Sequence, residues 1–214
     1  EKRTIVLDDQ DRRRFVANLF AMNDSKPVDN LNFYFERAMD FEDISSVTTL
    51  RERDPLVQIH GWCLMNNHYH LLLSELKERG ISKFLMKLNV GYTKYFNERY
   101  KRDGVLFQGR TKKKHIDTDA YFLWILYYIH FNPLDYRPDA RTWRTQCLAN
   151  PRQALAWLKK YRWSSFPDYA GVGDTADIIA GSFLFEDRKN HMREAERYLK
   201  TPNEEALSAY SLEQ

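Results

Sequence analysis

The stretch that most constrains the fold runs over residues 57–74. It holds two apolar segments, one around Trp62, Cys63, Leu64 and Met65 and one at Leu71, Leu72 and Leu73, separated by Asn66-Asn67. Asparagine tolerates positive φ, so the pattern reads as two strands joined by a tight hairpin turn. Successive strand side chains point to opposite faces, so His68 and His70 share one face while Tyr69 and Leu71 enter the other layer. Two imidazoles so placed on a rigid strand can grip one divalent metal. The same pair is also found as ordinary polar surface, and the tripeptide alone does not separate the two.

The rest of the 214-residue chain suits one domain with additions, and its 43% apolar content supports a core of ordinary size. No apolar run approaches the roughly 18 residues of a membrane span, and no secretory leader is expected. The two cysteines, Cys63 and Cys147, give neither a disulfide framework nor a cysteine–zinc site. The expected compartment is the cytosol.

The net charge of +3 is too small to argue for nucleic acid, but its distribution is informative. Lys94, Arg99, Lys101, Arg102, Arg110, Lys112, Lys113 and Lys114 crowd residues 94–115, opposed there only by Glu98 and Asp103. A local cationic stripe of this kind attracts phosphates. It is equally the pattern of a solvated face.

Along the chain, Asp8-Asp9-Gln10-Asp11 starts a capped helix with Phe15, Leu19 and Phe20 on its apolar side. Residues 23–55 read as an insertion or mobile loop with a short helix over 33–39. Apolar spacing at Phe84, Leu85, Leu88, Tyr92, Tyr95 and Phe96 predicts an amphipathic helix over 81–100. Asp117-Thr118-Asp119 caps another helix over 120–131, which Pro133 ends. Residues 138–151 read as a linker, 152–161 as a short helix, 163–166 as a docking turn and 182–199 as a charged helix. The expected division is a catalytic domain over 1–150 and a helical extension over 151–214.

Tyr128 and Asn132 are four apart and share a face of the helix over 120–131. If that face looks onto His68 and His70, two imidazoles and an amide oxygen surround one cation, leaving positions for phosphate oxygens, as hard cations such as magnesium prefer. The plain alternative is a tyrosine-rich helix that packs a core. Tyr127, about 100° round the helix, is the rival of Tyr128 and reads as a core residue. His115 and His130 read as phosphate contacts or surface residues.

Four motifs occur in order: Met65-Asn66-Asn67-His68-Tyr69-His70-Leu71-Leu72-Leu73, Tyr95-Phe96-Asn97, Phe107-Gln108-Gly109-Arg110 and Tyr128-Ile129-His130-Phe131-Asn132-Pro133, followed by Trp163-Ser164-Ser165-Phe166. Together they resemble the single-tyrosine HUH transposases (IS200-like), in the branch associated with repetitive extragenic palindromes. The resemblance implies an α+β fold: a ferredoxin-like antiparallel sheet with helices on one side, plus the helical C-terminal extension. It implies Tyr128 as the nucleophile, His68 and His70 as metal ligands with Asn132 as the third, and Mg2+ or Mn2+ as cofactor. The implied reaction is cleavage and rejoining of single-stranded DNA at a hairpin through a 5′-phosphotyrosine.

Lys94, Tyr95, Gln108, Arg110, Lys112, Lys113 and Lys114 are the expected DNA contacts. Tyr92, Tyr95 and Phe107 suit either base stacking or core packing. No membrane and no small-molecule cofactor is expected, and the molecule is expected to be a monomer or homodimer. Two departures stand out. Asn66 replaces the family's usual proline, and the chain begins after the position of the family's first strand, which implies a gap beside the histidine strand. The competing readings are a hairpin-binding module without chemistry, a metal-dependent phosphodiesterase using water, and a structural domain.

Overall fold

A computed structural model describes residues 3–27, 53–109, 111–182 and 188–201. The helix expected over 33–39, Arg110 and the last dozen residues lie outside the described residues.

Helix α1 (Asp9–Ala21) starts where Asp8 accepts the Asp11 N–H at 3.0 Å. Strand β1 (Val57–Leu64) then pairs antiparallel with β2 (Tyr69–Glu75), in a register running from Val57 opposite Glu75 to Leu64 opposite Tyr69. The Met65 N–H donates to the His68 carbonyl at 2.8 Å and closes the turn around Asn66-Asn67. A register shift between Ile59 and Gly61 inserts His60 as an extra residue. Beyond it, Gly61 and Cys63 share a face with Leu72 and His70, and Trp62 and Leu64 share the other with Leu71 and Tyr69.

That second face carries α1 and the long helix α2 (Gly80–Arg99). Phe15 of α1 lies 5.0 Å from the Tyr69 ring, whose hydroxyl donates to Asn89 of α2 at 2.7 Å. Fully buried Asp11 ties the two helices: its carboxylate accepts the Leu7 N–H, the Tyr95 and Tyr100 hydroxyls and the Arg99 guanidinium.

Helix α3 (Asp119–Phe131), capped by Thr118, covers the opposite face. Gly61 makes this possible. A β-carbon there would sit 2.4 Å from the Leu126 methyl, so a larger residue would force that side chain out of its place against the strand. The helices expected on one side are α1 and α2, and the helix bearing Tyr128 takes the other side.

After α3, 3₁₀ turns at Asn132–Tyr136 and Arg141–Arg144 lead to α4 (Pro151–Leu158), α5 (Phe166–Tyr169), α6 (Ala176–Ile179) and α7 (Arg188–Lys200). Residues 138–151 are therefore not a simple linker. Ala140, Trp143 and Leu148 are buried in a second apolar cluster with Trp124, Tyr127, Tyr128 and Phe131 of α3 and Ala195 and Leu199 of α7. The first cluster fills the space between the sheet, α1 and α2.

The expected docking turn pairs with the outer edge of β1. The Leu64 N–H donates to the Trp163 carbonyl at 2.8 Å, and the Ser165 N–H to the Trp62 carbonyl at 3.0 Å. No strand pairs with the outer edge of β2 among the described residues. The overall class is α+β, built on a two-stranded antiparallel ladder among those residues.

His60, 2% exposed, sits between the Ser182 and Ser74 hydroxyls at 2.9 and 2.8 Å, and burial pushes its pKa down to about 4. Below its ordinary value of about 6.5 the unfolded chain takes up a proton that the folded chain refuses. Stability should therefore fall by about 3 kcal/mol between pH 6.5 and 4 from this group. Urea unfolding across that range should show the decline, and His60→Asn should flatten part of it. An unchanged slope in the variant would refute the assignment.

Candidate active site

His70 stands on β2 opposite Cys63, and His68 is in the turn residue just before the strand. Their rings meet nearly edge to face, with centroids 4.8 Å apart and the two Nε2 atoms 3.0 Å apart. The His68 Nδ1 lies 2.6 Å from Asn67 Oδ1. A carboxamide oxygen only accepts, so the His68 Nδ1 carries a proton, and between the two Nε2 atoms one ring donates to the other. A metal ligand would need both Nε2 atoms free of that proton. At a metal–nitrogen distance of about 2.1 Å, a 3.0 Å separation corresponds to an angle of about 90° at the cation, as between neighbouring positions of an octahedron. The same 3.0 Å is the ordinary length of a hydrogen bond between the two rings, so the spacing admits one divalent cation between the Nε2 atoms without choosing its geometry. No cluster of three or more His, Cys, Asp or Glu side chains suited to a metal occurs among the described residues.

Helix α3 brings Tyr128 to this pair. Its ring is 6.3 Å from that of His70, edge to face, and it is 5% exposed. Tyr127 turns away, against His191 at 4.8 Å and Tyr198 at 4.6 Å on α7. Of the two tyrosines, Tyr128 faces a histidine of the pair and Tyr127 the C-terminal helix.

Asn132 is fully buried and its carboxamide is engaged at both ends. Its Nδ2 donates to the Tyr128 carbonyl at 2.9 Å, and its Oδ1 accepts from Arg144 at 2.6 Å. Serving as a third metal ligand would require Oδ1 to exchange the guanidinium for the cation. The structure thus gathers His68, His70 and Tyr128, and gives the Asn132 oxygen to Arg144.

Arg144 is the residue that sequence reasoning missed. It is 8% exposed, pairs with Asp135, and places its guanidinium 4.3 Å from the Trp143 ring and 5.5 Å from the Tyr128 ring. Burial opposes its charge, but Asp135 and the Tyr128 phenol outweigh that and hold its pKa above the usual arginine value. Nothing in the stretch over 138–151 marked one arginine above its neighbours. His130 is fully buried on the Ser165 hydroxyl at 2.8 Å, and burial, with His191 close by, drives its pKa well down. It is a core residue, not a surface phosphate contact.

Of the expected DNA contacts, Lys94 is exposed on α2, and Gln108, Lys112, Lys113 and Lys114 are exposed before α3. Lys114 places its ammonium 4.6 Å from the Tyr121 ring. Tyr121 stacks on Trp124 at 5.9 Å, and Trp124 lies 5.3 Å from Tyr128. This row at i, i+3 and i+7 links the basic segment to the candidate nucleophile, and its spacing was readable in the sequence. The Tyr95 hydroxyl is committed to Asp11 and Arg99 on α1 and α2. Tyr92 is fully buried with its hydroxyl on the Ile5 carbonyl at 2.7 Å, so it packs the core and stacks on no base. Phe107, half-buried, packs on Tyr69 and Tyr92.

A family model described as "Transposase IS200 like" matches residues 35–132. The chain is similar to IS200-like transposases. The match spans the hairpin, α2 and α3, and so includes His68, His70, Tyr128 and Asn132; it supports a transposase-type role with DNA as the partner. No curated protein and no solved structure matches the chain. No helix among the described residues is long and apolar enough to cross a membrane.

Arg144→Met should lower stability in urea by about 1–3 kcal/mol, because the buried Asn132 oxygen loses a charged donor, whereas Asp135, 38% exposed, is left to solvent. A loss below about 0.5 kcal/mol would show that the contact is not structural.

Proposed function

We propose that the chain is a single-stranded DNA endonuclease and strand transferase of the palindrome-associated branch of IS200-like transposases, acting on hairpin DNA in the bacterial cytosol as a monomer or homodimer. The observation that carries this reading is the convergence of the His68 and His70 Nε2 atoms beside the Tyr128 ring.

His68 and His70 would hold Mg2+ or Mn2+, with Asn67 fixing the His68 tautomer. When bound, the ion would supply charge to polarise the scissile phosphate and stabilise its transition state. A tyrosine ordinarily titrates near pH 10, so about one phenol in a thousand is ionised at neutral pH and attack needs such help.

The Tyr128 oxygen forms a bond to phosphorus as the bond from phosphorus to the 3′-oxygen breaks. The phenol proton passes to solvent and the departing oxygen takes one up. The products are a 5′-phosphotyrosine and a free 3′-hydroxyl. The linkage conserves the phosphodiester bond, so attack by a 3′-hydroxyl reverses the step without a nucleotide cofactor. Because Tyr128 is 5% exposed, cleavage also requires local opening of the cover that Trp143 and Arg144 provide. Lys112, Lys113 and Lys114 hold the backbone, as sequence-independent cations do.

A second reading, a hairpin-binding module without chemistry, is favoured by the engagement of Asn132 with Arg144 and the burial of Tyr128. Incubation with labelled hairpin DNA and manganese, followed by a denaturing gel, separates the two. The expected result is a metal-dependent protein–DNA band that Tyr128→Phe reduces by about 10³-fold or more without weakening binding. His70→Ala should lose the band together with manganese binding by calorimetry. Cleaved DNA carrying no protein would instead indicate a water-using phosphodiesterase, and binding without cleavage would leave the module reading.

A further inference from the structure

A cavity of 380 Å³ opens where the start of α1, the hairpin turn and residues 160–163 meet. Its wall holds four cations, Arg12, Arg13, Lys160 and Arg162, and one carboxylate, Asp9. Asp9 pairs with Arg12 at 2.9 Å, so that charge is answered within the wall. Arg162 pairs with Asp174 at 2.9 Å, but both side chains are about half exposed, and exposed pairs of this kind contribute little and exchange readily. The cavity is left with an excess of positive charge contributed by Arg13 and Lys160, and Arg162 at its rim shares its charge with Asp174.

The same wall is aromatic. Tyr136, Tyr161 and Trp163 line it. Tyr161 is stacked on Trp157 at 5.5 Å, its ring 6.2 Å from Tyr136, and its hydroxyl donates to the Leu64 carbonyl at 2.8 Å. Trp163 is fixed by its backbone on the β1 edge, with the Arg12 guanidinium 5.8 Å from its ring. The Tyr161 ring is therefore held by the fold before any ligand arrives, which reduces the ordering cost of binding.

Cations beside rigid ring faces are what an unpaired nucleotide requires, since phosphates seek charge and every base has a face to stack. The volume lies within the range of about 300–1,000 Å³ for small-ligand sites. A duplex, whose major groove alone is about 12 Å wide, does not enter it.

The cavity also adjoins the active site through the chain. Asn66, in its wall, accepts from Arg12 at 2.9 Å and donates its N–H to the Tyr136 hydroxyl at 2.8 Å. The next residue, Asn67, holds His68. Two Cα–Cα steps separate Asn66 from His68, at most about 7–8 Å.

We propose that this cavity seats one unpaired nucleotide of the single strand flanking the scissile phosphate, with Arg13, Lys160 and Arg162 on the phosphate and Trp163 and Tyr161 against the base. The assignment to flanking DNA rests on the transposase reading given above. An acidic peptide would satisfy the cations but leave the rings without a partner.

The test is fluorescence anisotropy with a labelled hairpin carrying a four-nucleotide single-stranded tail, the same hairpin without the tail, and a blunt duplex, each at several salt concentrations. Arg13→Gln/Lys160→Gln should weaken binding of the tailed hairpin about tenfold and lower its salt slope by about one to two, with the tailless hairpin unchanged. Trp163→Leu should weaken the tailed hairpin alone and leave its salt slope intact. Lys160 is exposed, so Lys160→Gln by itself serves as a control that does not threaten folding.

Equal losses for all three DNAs, or none, would overturn the proposal, as would full displacement of the tail-dependent signal by a poly-glutamate peptide. The outcome is separable from the chemistry. Tail-dependent binding with no covalent band sinks the tyrosine mechanism and keeps the cavity, whereas a covalent band with tail-independent binding sinks the cavity alone.

Discussion

The structure depends on α3 being apolar nearly all the way round. Seven of its side chains, from Trp124 to Phe131, are buried, and a helix of that kind must be covered on more than one side. The sheet supplies one cover, at Gly61 against Leu126. The segment after Pro133 and the C-terminal helix supply the other, through Trp143, Leu148, Ala195 and Leu199. The extension is therefore part of the core around the candidate nucleophile. Tyr128 stands between the two covers, with His70 on one side and Trp143 and Arg144 on the other.

That placement creates a conflict at the site. Burying Arg144 beside Tyr128 is tolerable only because Asp135 and the Asn132 oxygen answer the charge. The same oxygen is the one a third metal ligand would present. The two imidazoles are engaged as well: Asn67 holds the His68 Nδ1 at 2.6 Å, and the two Nε2 atoms meet at 3.0 Å. Both halves of the candidate site, on the hairpin and on the helix, are therefore polar groups that already answer one another, and Arg144 lies beside both Tyr128 and Asn132.

A second polarity runs across the sheet. On the face away from the site, Asp11 gathers the Tyr95 and Tyr100 hydroxyls and Arg99, so Tyr95, which suited either a base or the core, ties α1 to α2. On the site side, Tyr121 and Trp124 continue from Tyr128 toward the lysines that precede α3. Aromatic residues of one type thus take opposite roles, decided by which layer they enter.

The hairpin, the amphipathic helix over α2, the Thr118-capped helix ending at Pro133 and the docking turn were legible in the sequence, because each rests on local rules: two- or 3.6-residue periodicity, a capping hydroxyl, a proline stop. Strand alternation suggested that His68 and His70 share a face, but His68 stands in the turn before β2 and meets His70 from there. Which neighbours Tyr127 and Tyr128 face did not follow from any local rule, since 100° of helix rotation acquires meaning only when a sheet lies on one side and α7 on the other. Nor did the role of Arg144, twelve residues beyond Asn132 in a stretch without periodicity, or the cavity, whose walls come from α1, the hairpin turn and residues 136 and 160–163. Sequence determined which side chains each element offers. Tertiary packing decided which of them meet, because burial, charge pairing and ring contact are set by distances between segments that no local pattern encodes.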